Sequence, residues 1–282
     1  MNRTSRMFTT LSVALLLLIV YGNDAIVSVG AEPQNARNAK STSPARSKHY
    51  RKHTFKAKDG TAIDYWVMSP VKIEEGRQYP LVLALHGRGG STVAAKELAS
   101  NALREQYPCF VMAPVSTRAG HWARPVASGK RRKKGKSTKS MLPVALEAME
   151  AFIKKQPINP NRVYVTGQSM GGVGTFGAVS LRPDVFAAAI PVCGGWDPQD
   201  AGKMKNIAIW AFHGGNDKVV PTEFSRNMIA AIKKAGGSPK YTEYAGVAHN
   251  SWSKTYASSE TWKWLFQQTR THRSEGPSQT NP

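Results

Sequence analysis

The sequence predicts a doubly wound, mostly parallel α/β sheet with an antiparallel hairpin at one edge, and two patterns predict it. Continuous apolar runs at 81–85 (LVLAL), 110–115 (FVMAPV), 163–166 (VYVT), 188–192 (AAIPV) and 207–212 (IAIWAF) read as strands covered on both faces. Helical stretches alternate with them, the βαβ order that gives right-handed crossovers and ligand loops at the strands' C-terminal ends. Size agrees with this. Of 282 residues, 41% are apolar and 9% aromatic, enough for a full-sized core, which excludes a wholly disordered chain.

In chain order, 53–58 and 61–68 alternate in and out around Asp59-Gly60, the pattern of an antiparallel edge hairpin. The first parallel strand, 81–85, is followed by a helix over 92–105, and the strand at 110–115 by a helix over 142–155. The strand at 163–166 leads into a helix over 170–181, and the run at 207–212 into one over 222–235. A short β-like segment from Lys240 and a last helix over 258–268 complete the body. About 220 residues lie between the polar ends, which suits one domain, 50–268. No internal repeat is visible.

The two ends read differently. Arg3 and Arg6 precede an apolar run, and Val29-Gly30-Ala31 follows it, the three-part layout of a secretory signal peptide over 1–31. A membrane anchor is the alternative, but a span needs roughly 20 apolar residues. The expected location is therefore secreted or periplasmic, with no transmembrane span after cleavage. Residues 32–49 and 269–282 are polar and aperiodic, and read as a basic linker and a tail that bury no core. Signal removal takes two Arg and one Asp, so the formal charge falls only from +21 to +20. Cys109 and Cys193 are too few for a disulfide framework. No Cys/His spacing supports a metal site.

The chemistry concentrates at strand ends. The strand at 163–166 runs into Gly167-Gln168-Ser169-Met170-Gly171-Gly172, a sharp strand-to-helix turn that presents the Ser169 hydroxyl at a helix N-terminus. Side chains at 167 or 171 would collide with the crossing backbone. Leu85-His86-Gly87-Arg88-Gly89-Gly90 follows the first parallel strand, and the backbone N–H groups of Arg88 and Met170 are assigned to an oxyanion hole. His86 reads as a residue that shapes this loop through hydrogen bonds. Asp217 in His213-Gly214-Gly215-Asn216-Asp217 supplies a carboxylate beyond its strand, a role that Asn216 lacks the charge for. Asp184 instead reads as a helix stop or cap. His249 precedes the last helix, where it would take the Ser169 proton while Asp217 fixes its tautomer. The rate should therefore rise with pH as the imidazole loses its proton. His49, His53, His121 and His272 read as surface residues.

In that order, LHGRGG, GQSMGG, HGGNDKVVP and GVAHNSW resemble the α/β-hydrolase serine esterases. Within them the likeness is to secreted carboxylesterases that include feruloyl-esterase-like and polyhydroxybutyrate-depolymerase-like proteins. The resemblance covers roughly 50–268 and implies an α/β-hydrolase fold. It also implies hydrolysis of an ester substrate through an acyl-enzyme, without metal or organic cofactor, and acylated polysaccharide is one candidate substrate. Two alternatives remain. Prolyl-oligopeptidase-like peptidases share the fold and similar motifs but usually add a propeller, for which this chain leaves no room. A basic, non-catalytic binding protein on the same scaffold has no physical need of Ser169, Asp217 and His249 together.

One segment departs from the pattern. Residues 118–139 carry nine Lys/Arg and no Asp/Glu, including Lys130, Arg131, Arg132, Lys133 and Lys134. A solvated loop is the plain reading. The sharper one is a patch on the Ser169 edge that gathers an anionic polymer or surface. No specific nucleic acid is expected.

Overall fold

The computed structural model describes residues 48–90, 92–116, 120–123 and 140–270. The expected signal at 1–31, the linker up to 47, residues 130–134 with most of the basic loop, and the tail from 271 lie outside the described residues.

Strands β1 (Tyr50–Lys56) and β2 (Ala62–Met68) form the expected hairpin, antiparallel in register from Tyr50↔Met68 to Lys56↔Ala62. Its turn needs Gly60, whose φ of 82° is open to glycine at little cost, and the Asp59 carboxylate accepts the Thr61 N–H. The other strands are β3 (Tyr79–Leu85), β4 (Phe110–Val115), β5 (Ile158–Gln168), β6 (Ala188–Val192), β7 (Ala208–Gly214) and β8 (Lys240–Tyr244). They build one 8-stranded sheet in the order β1-β2-β4-β3-β5-β6-β7-β8. β2 meets β4 antiparallel, and every pairing from β4 to β8 is parallel.

Alternate residues of the central strands feed two apolar layers. Leu81, Leu83 and Leu85 join Phe110 and Met112 on one face, packed with α3 (Leu142–Ile153), α4 (Met170–Leu181) and α6 (Glu223–Lys234). Val82 and Ala84 join Val111 and Ala113 on the other, with α1 (Val93–Leu98), α7 (Trp252–Ala257) and α8 (Ser259–Gln267). Both faces of β3 are therefore buried, the physical reason its sequence is an unbroken apolar run.

The helix expected over 92–105 is two helices, α1 and α2 (Asn101–Gln106), because Ser100 turns extended (φ −65°, ψ 145°) and its hydroxyl accepts the Leu103 N–H as a cap. A short helix α5 (Ala201–Met204) and the helix α7 lie where the sequence reading had loops. Cys109 precedes β4 and Cys193 follows β6, with β3 and β5 between, and both thiols are free and buried. No described helix is long and apolar enough to cross a membrane.

Candidate active site

Ser169 stands between β5 and α4 with φ 54° and ψ −117°, a left-handed conformation that costs a non-glycine residue about 1–3 kcal/mol. Its neighbours explain why the turn accepts nothing bulkier. A Cβ on Gly167 would stand 2.6 Å from the carbonyl oxygens of Gly171 and Leu85, and one on Gly171 would stand 2.1 Å from Leu85 O. The Ser169 N–H donates to Val192 O at 2.9 Å, and Val173 N–H donates to Ser169 O at 3.0 Å. The strained residue is thus anchored to β6 and to its own helix.

Two further loops reach Ser169. Beyond β7, Asp217 is buried, and its Oδ1 accepts the N–H groups of Val219 and Val220 at 2.8 and 2.9 Å. Beyond β8, His249 lies with Nδ1 2.7 Å from Asp217 Oδ2 and Nε2 2.9 Å from Ser169 Oγ. A carboxylate only accepts, so Nδ1 carries the proton and Nε2 accepts from the serine hydroxyl. The two loops are joined backbone to backbone: Asn216 N–H donates to Val247 O, Gly215 N–H donates to Tyr244 O, and a Cβ on Gly214 would stand 2.2 Å from Ala248 O. Trp252 stands edge-to-face with the His249 ring at 5.0 Å. Burial disfavours an ionised Asp217, but hydrogen bonds from His213, His249 and the N–H groups of Val220 and Val219 outweigh it and hold the carboxyl well below the usual range.

The remaining assignments also have places. Met170 is the first residue of α4, where a helix leaves N–H groups without intrahelical partners. Arg88 is exposed in the turn after β3, a turn held by Gly90 N–H donating to Gly87 O and by glycines at φ 89° and 82°. A Cβ on Gly87 would stand 3.3 Å from Gln168 O, so this loop passes against the residue before Ser169. His86 is occupied on both ring nitrogens: Nδ1–H donates to Gly87 O, and Nε2 accepts Ser116 N–H at 2.9 Å, while burial lowers its pKa. Asp184 pairs with Arg182 and lies outside the cluster.

Sequence reasoning passed over His213, Ser225, Cys193 and Ser251, which pack beneath the three loops. Cys193, at φ 49°, has its Sγ 2.8 Å from Ser251 Oγ and donates to His249 O at 3.2 Å. Cys193, His213 and Asp217 place a thiol, an imidazole and a carboxylate within 4.8 Å of one another, a donor set that the sequence spacing did not reveal. These donors are already committed to hydrogen bonds within the chain, and burial pushes the Cys193 thiol up to about 12. The HGxxD spacing that places His213 four residues before Asp217 was the available signal.

Fold and site together define an α/β-hydrolase. The chain belongs to the phospholipase/carboxylesterase family, whose model matches residues 68–262. A solved structure described as a thermostable esterase is 34% identical, with a TM-score of 0.70, over 79% of this chain and 64% of its own. A probable carboxylesterase of Arabidopsis thaliana is 28% identical over 134 residues, 44% of this chain and 50% of the relative. The poly(3-hydroxyalkanoate) depolymerase C of Paucimonas lemoignei is 33% identical over 145 residues, 49% of this chain and 33% of the relative. The chain thus spans half or less of the length of these two curated relatives.

Proposed function

We propose that this protein is a secreted or periplasmic serine carboxylester hydrolase. The observation that carries the reading is the unbroken hydrogen-bonded line from Ser169 Oγ through His249 to Asp217, at 2.9 and 2.7 Å. Ser169 Oγ would attack the ester carbonyl carbon while its proton passes to His249 Nε2. The resulting oxyanion would sit against the N–H groups of Arg88 and Met170, and collapse would expel the alcohol, protonated by His249. Water, deprotonated by the same nitrogen, would then attack the acyl-enzyme, release the acid and return the proton to Ser169. Asp217 would stabilise the imidazolium formed in each half.

The substrate class favoured is acylated polysaccharide or another extracellular ester, with residues 130–134 gathering anionic polymer. Support for that placement comes from the described flanks of the basic segment. Trp122 is fully buried and its Nε1–H donates to His86 O at 2.8 Å, while Met141 and Leu142 N–H groups donate to His121 O and Trp122 O. Both flanks are therefore tied to the loop that carries Arg88.

Ser169→Ala should reduce turnover of p-nitrophenyl esters by about 10⁴-fold or more with folding intact. A fluorophosphonate should label the wild-type chain at Ser169 alone. An alanine variant that keeps a substantial part of the ester turnover would remove Ser169 as the nucleophile. Methyl ferulate and acetylated xylan in the same panel would assign the acyl and alcohol parts.

A further inference from the structure

Asp217 is held by two imidazoles, and only one of them reaches Ser169. His213, near the C-terminal end of β7, is fully buried, with Nε2 3.2 Å from Asp217 Oδ2 and 3.0 Å from Val220 O. Both neighbours of that nitrogen are acceptors, so Nε2 carries a proton, which it donates to Val220 O and holds beside the oxygen that also accepts from His249. On the far side, Nδ1 is 2.7 Å from Ser225 Oγ, a hydroxyl whose one proton faces both Nδ1 and Gly194 O, the latter also 2.7 Å away. Gly194 packs in turn on the helix that follows Ser169, since a Cβ on it would stand 2.4 Å from Gly172 C.

We infer that His213 is a positioning residue for Asp217, a role that rests on the hydrolase reading above and adds a fourth side chain to it. The geometry gives the reason. The N–H groups of Val219 and Val220 fix Oδ1, but Oδ2 faces His249 across a single hydrogen bond, and His249 must exchange protons with Ser169. The His213 N–H, shared between Val220 O and Oδ2 and set by the ring's contact with Ser225, gives that oxygen a second polar neighbour that keeps it in place while the His249 ring changes charge. It also favours the ionised carboxylate, whose side chain is fully buried, and the neighbouring His213 N–H helps to hold the Asp217 pKa down. Misplacement of a reacting geometry by about 1 Å costs on the order of 100-fold in rate, so loss of this donor should be read mainly in kcat.

The test compares three replacements of known reach. A Gln amide nitrogen can occupy the Nε2 position and keep the donor to Asp217, an Asn amide reaches only the Nδ1 position beside Ser225, and Leu keeps neither. His213→Leu and His213→Asn should lose about 10–100-fold in kcat on p-nitrophenyl acetate with KM within about twofold. His213→Gln should recover to within about threefold of wild type. In an Asp217→Asn background, His213→Leu should cost nothing further, because the residue acts through the carboxylate. Equal rates for the Gln and Asn variants, or losses that multiply in the double variant, would overturn the inference and leave a packing role. If His213→Leu fails to fold, the Gln and Asn pair decides alone. Ser169→Ala and Asp217→Asn run beside them keep the two readings apart. Full turnover in those controls would overturn the hydrolase itself, whereas lost turnover in the controls with an unaffected His213→Leu would overturn only the role of His213.

Discussion

Asp217 joins stability to chemistry at a single side chain. Its folded pKa is depressed, so it contributes stability that is fully present above the unfolded value of about 3.9 and is lost as pH falls through the folded value. Asp217→Asn removes the charge but keeps the shape. Urea unfolding should therefore show wild type more stable than this variant at pH 7, with the gap narrowing below about pH 4. A gap unchanged between pH 7 and pH 3 would mean that the carboxylate's hydrogen bonds to His213 and His249 do not favour its charged form. At this scale Ser169, Asp217 and His249 were legible because each stands in a short motif at a strand end. His213 was quoted in such a motif yet left without a role, since the partners of its ring come from residues 217, 220 and 225 and only folding brings them together.

The elbow is where an element depends on a missing side chain. Gly171→Ala would drive a Cβ to 2.1 Å from Leu85 O, so α4 or β3 must move, and Ser169 moves with α4. Gly202 in α5 has nothing within 4 Å of the same atom and no left-handed φ, so Ala there should hold or raise stability by about 0.4–1 kcal/mol. Thermal melts and ester turnover of the two variants should diverge. The residue 171 variant should melt lower and turn over far more slowly, and the residue 202 variant should match wild type. If the residue 171 variant behaved like the residue 202 one, the close crossing of β3 and α4 would be wrong. The same contrast explains what the sequence showed of the elements. Strands buried on both faces announce themselves as apolar runs, whereas α7 is six residues long and is held by tertiary partners. Its Tyr256 hydroxyl lies 2.8 Å from Thr166 Oγ1, and the Tyr256 carbonyl accepts from Trp262 Nε1–H. Likewise the division of α1 from α2 depends on one capping serine inside an otherwise helical stretch.

For the whole molecule, sheet order has a covalent consequence. β3 and β5 separate the strands beside Cys109 and Cys193, and neighbouring strands are about 4.8 Å apart, so the Cα atoms lie far beyond the ~7 Å reach of a disulfide. Peptide mapping without reductant should find both thiols free even after exposure to an oxidising medium. A linked Cys109–Cys193 peptide would contradict the strand order. The edge hairpin followed from the Asp59-Gly60 turn, but apolar runs do not encode which strands pair, so the expected order came with the resemblance to the α/β-hydrolases.

The charge of the whole chain, 39 Lys+Arg against 18 Asp+Glu, leads to the last prediction. Long-range attraction raises the local concentration of an anionic partner and its encounter rate, and salt weakens it over about 10 Å at 0.1 M. Acyl transfer depends instead on donors within about 3 Å of the reacting oxygen. Replacing Lys130, Arg131, Arg132, Lys133 and Lys134 by Ser should therefore weaken binding to an acetylated acidic polysaccharide and flatten its salt dependence, because fewer counterions are released. Turnover of neutral p-nitrophenyl acetate should stay within about twofold of wild type, since none of its chemistry uses those side chains. Equal loss on both substrates would make the segment part of the substrate pocket, which its flanks at Trp122 and Met141, tied to the Arg88 loop, would permit. Unchanged binding and salt dependence would leave residues 130–134 as a solvated run of charge with no part in substrate capture.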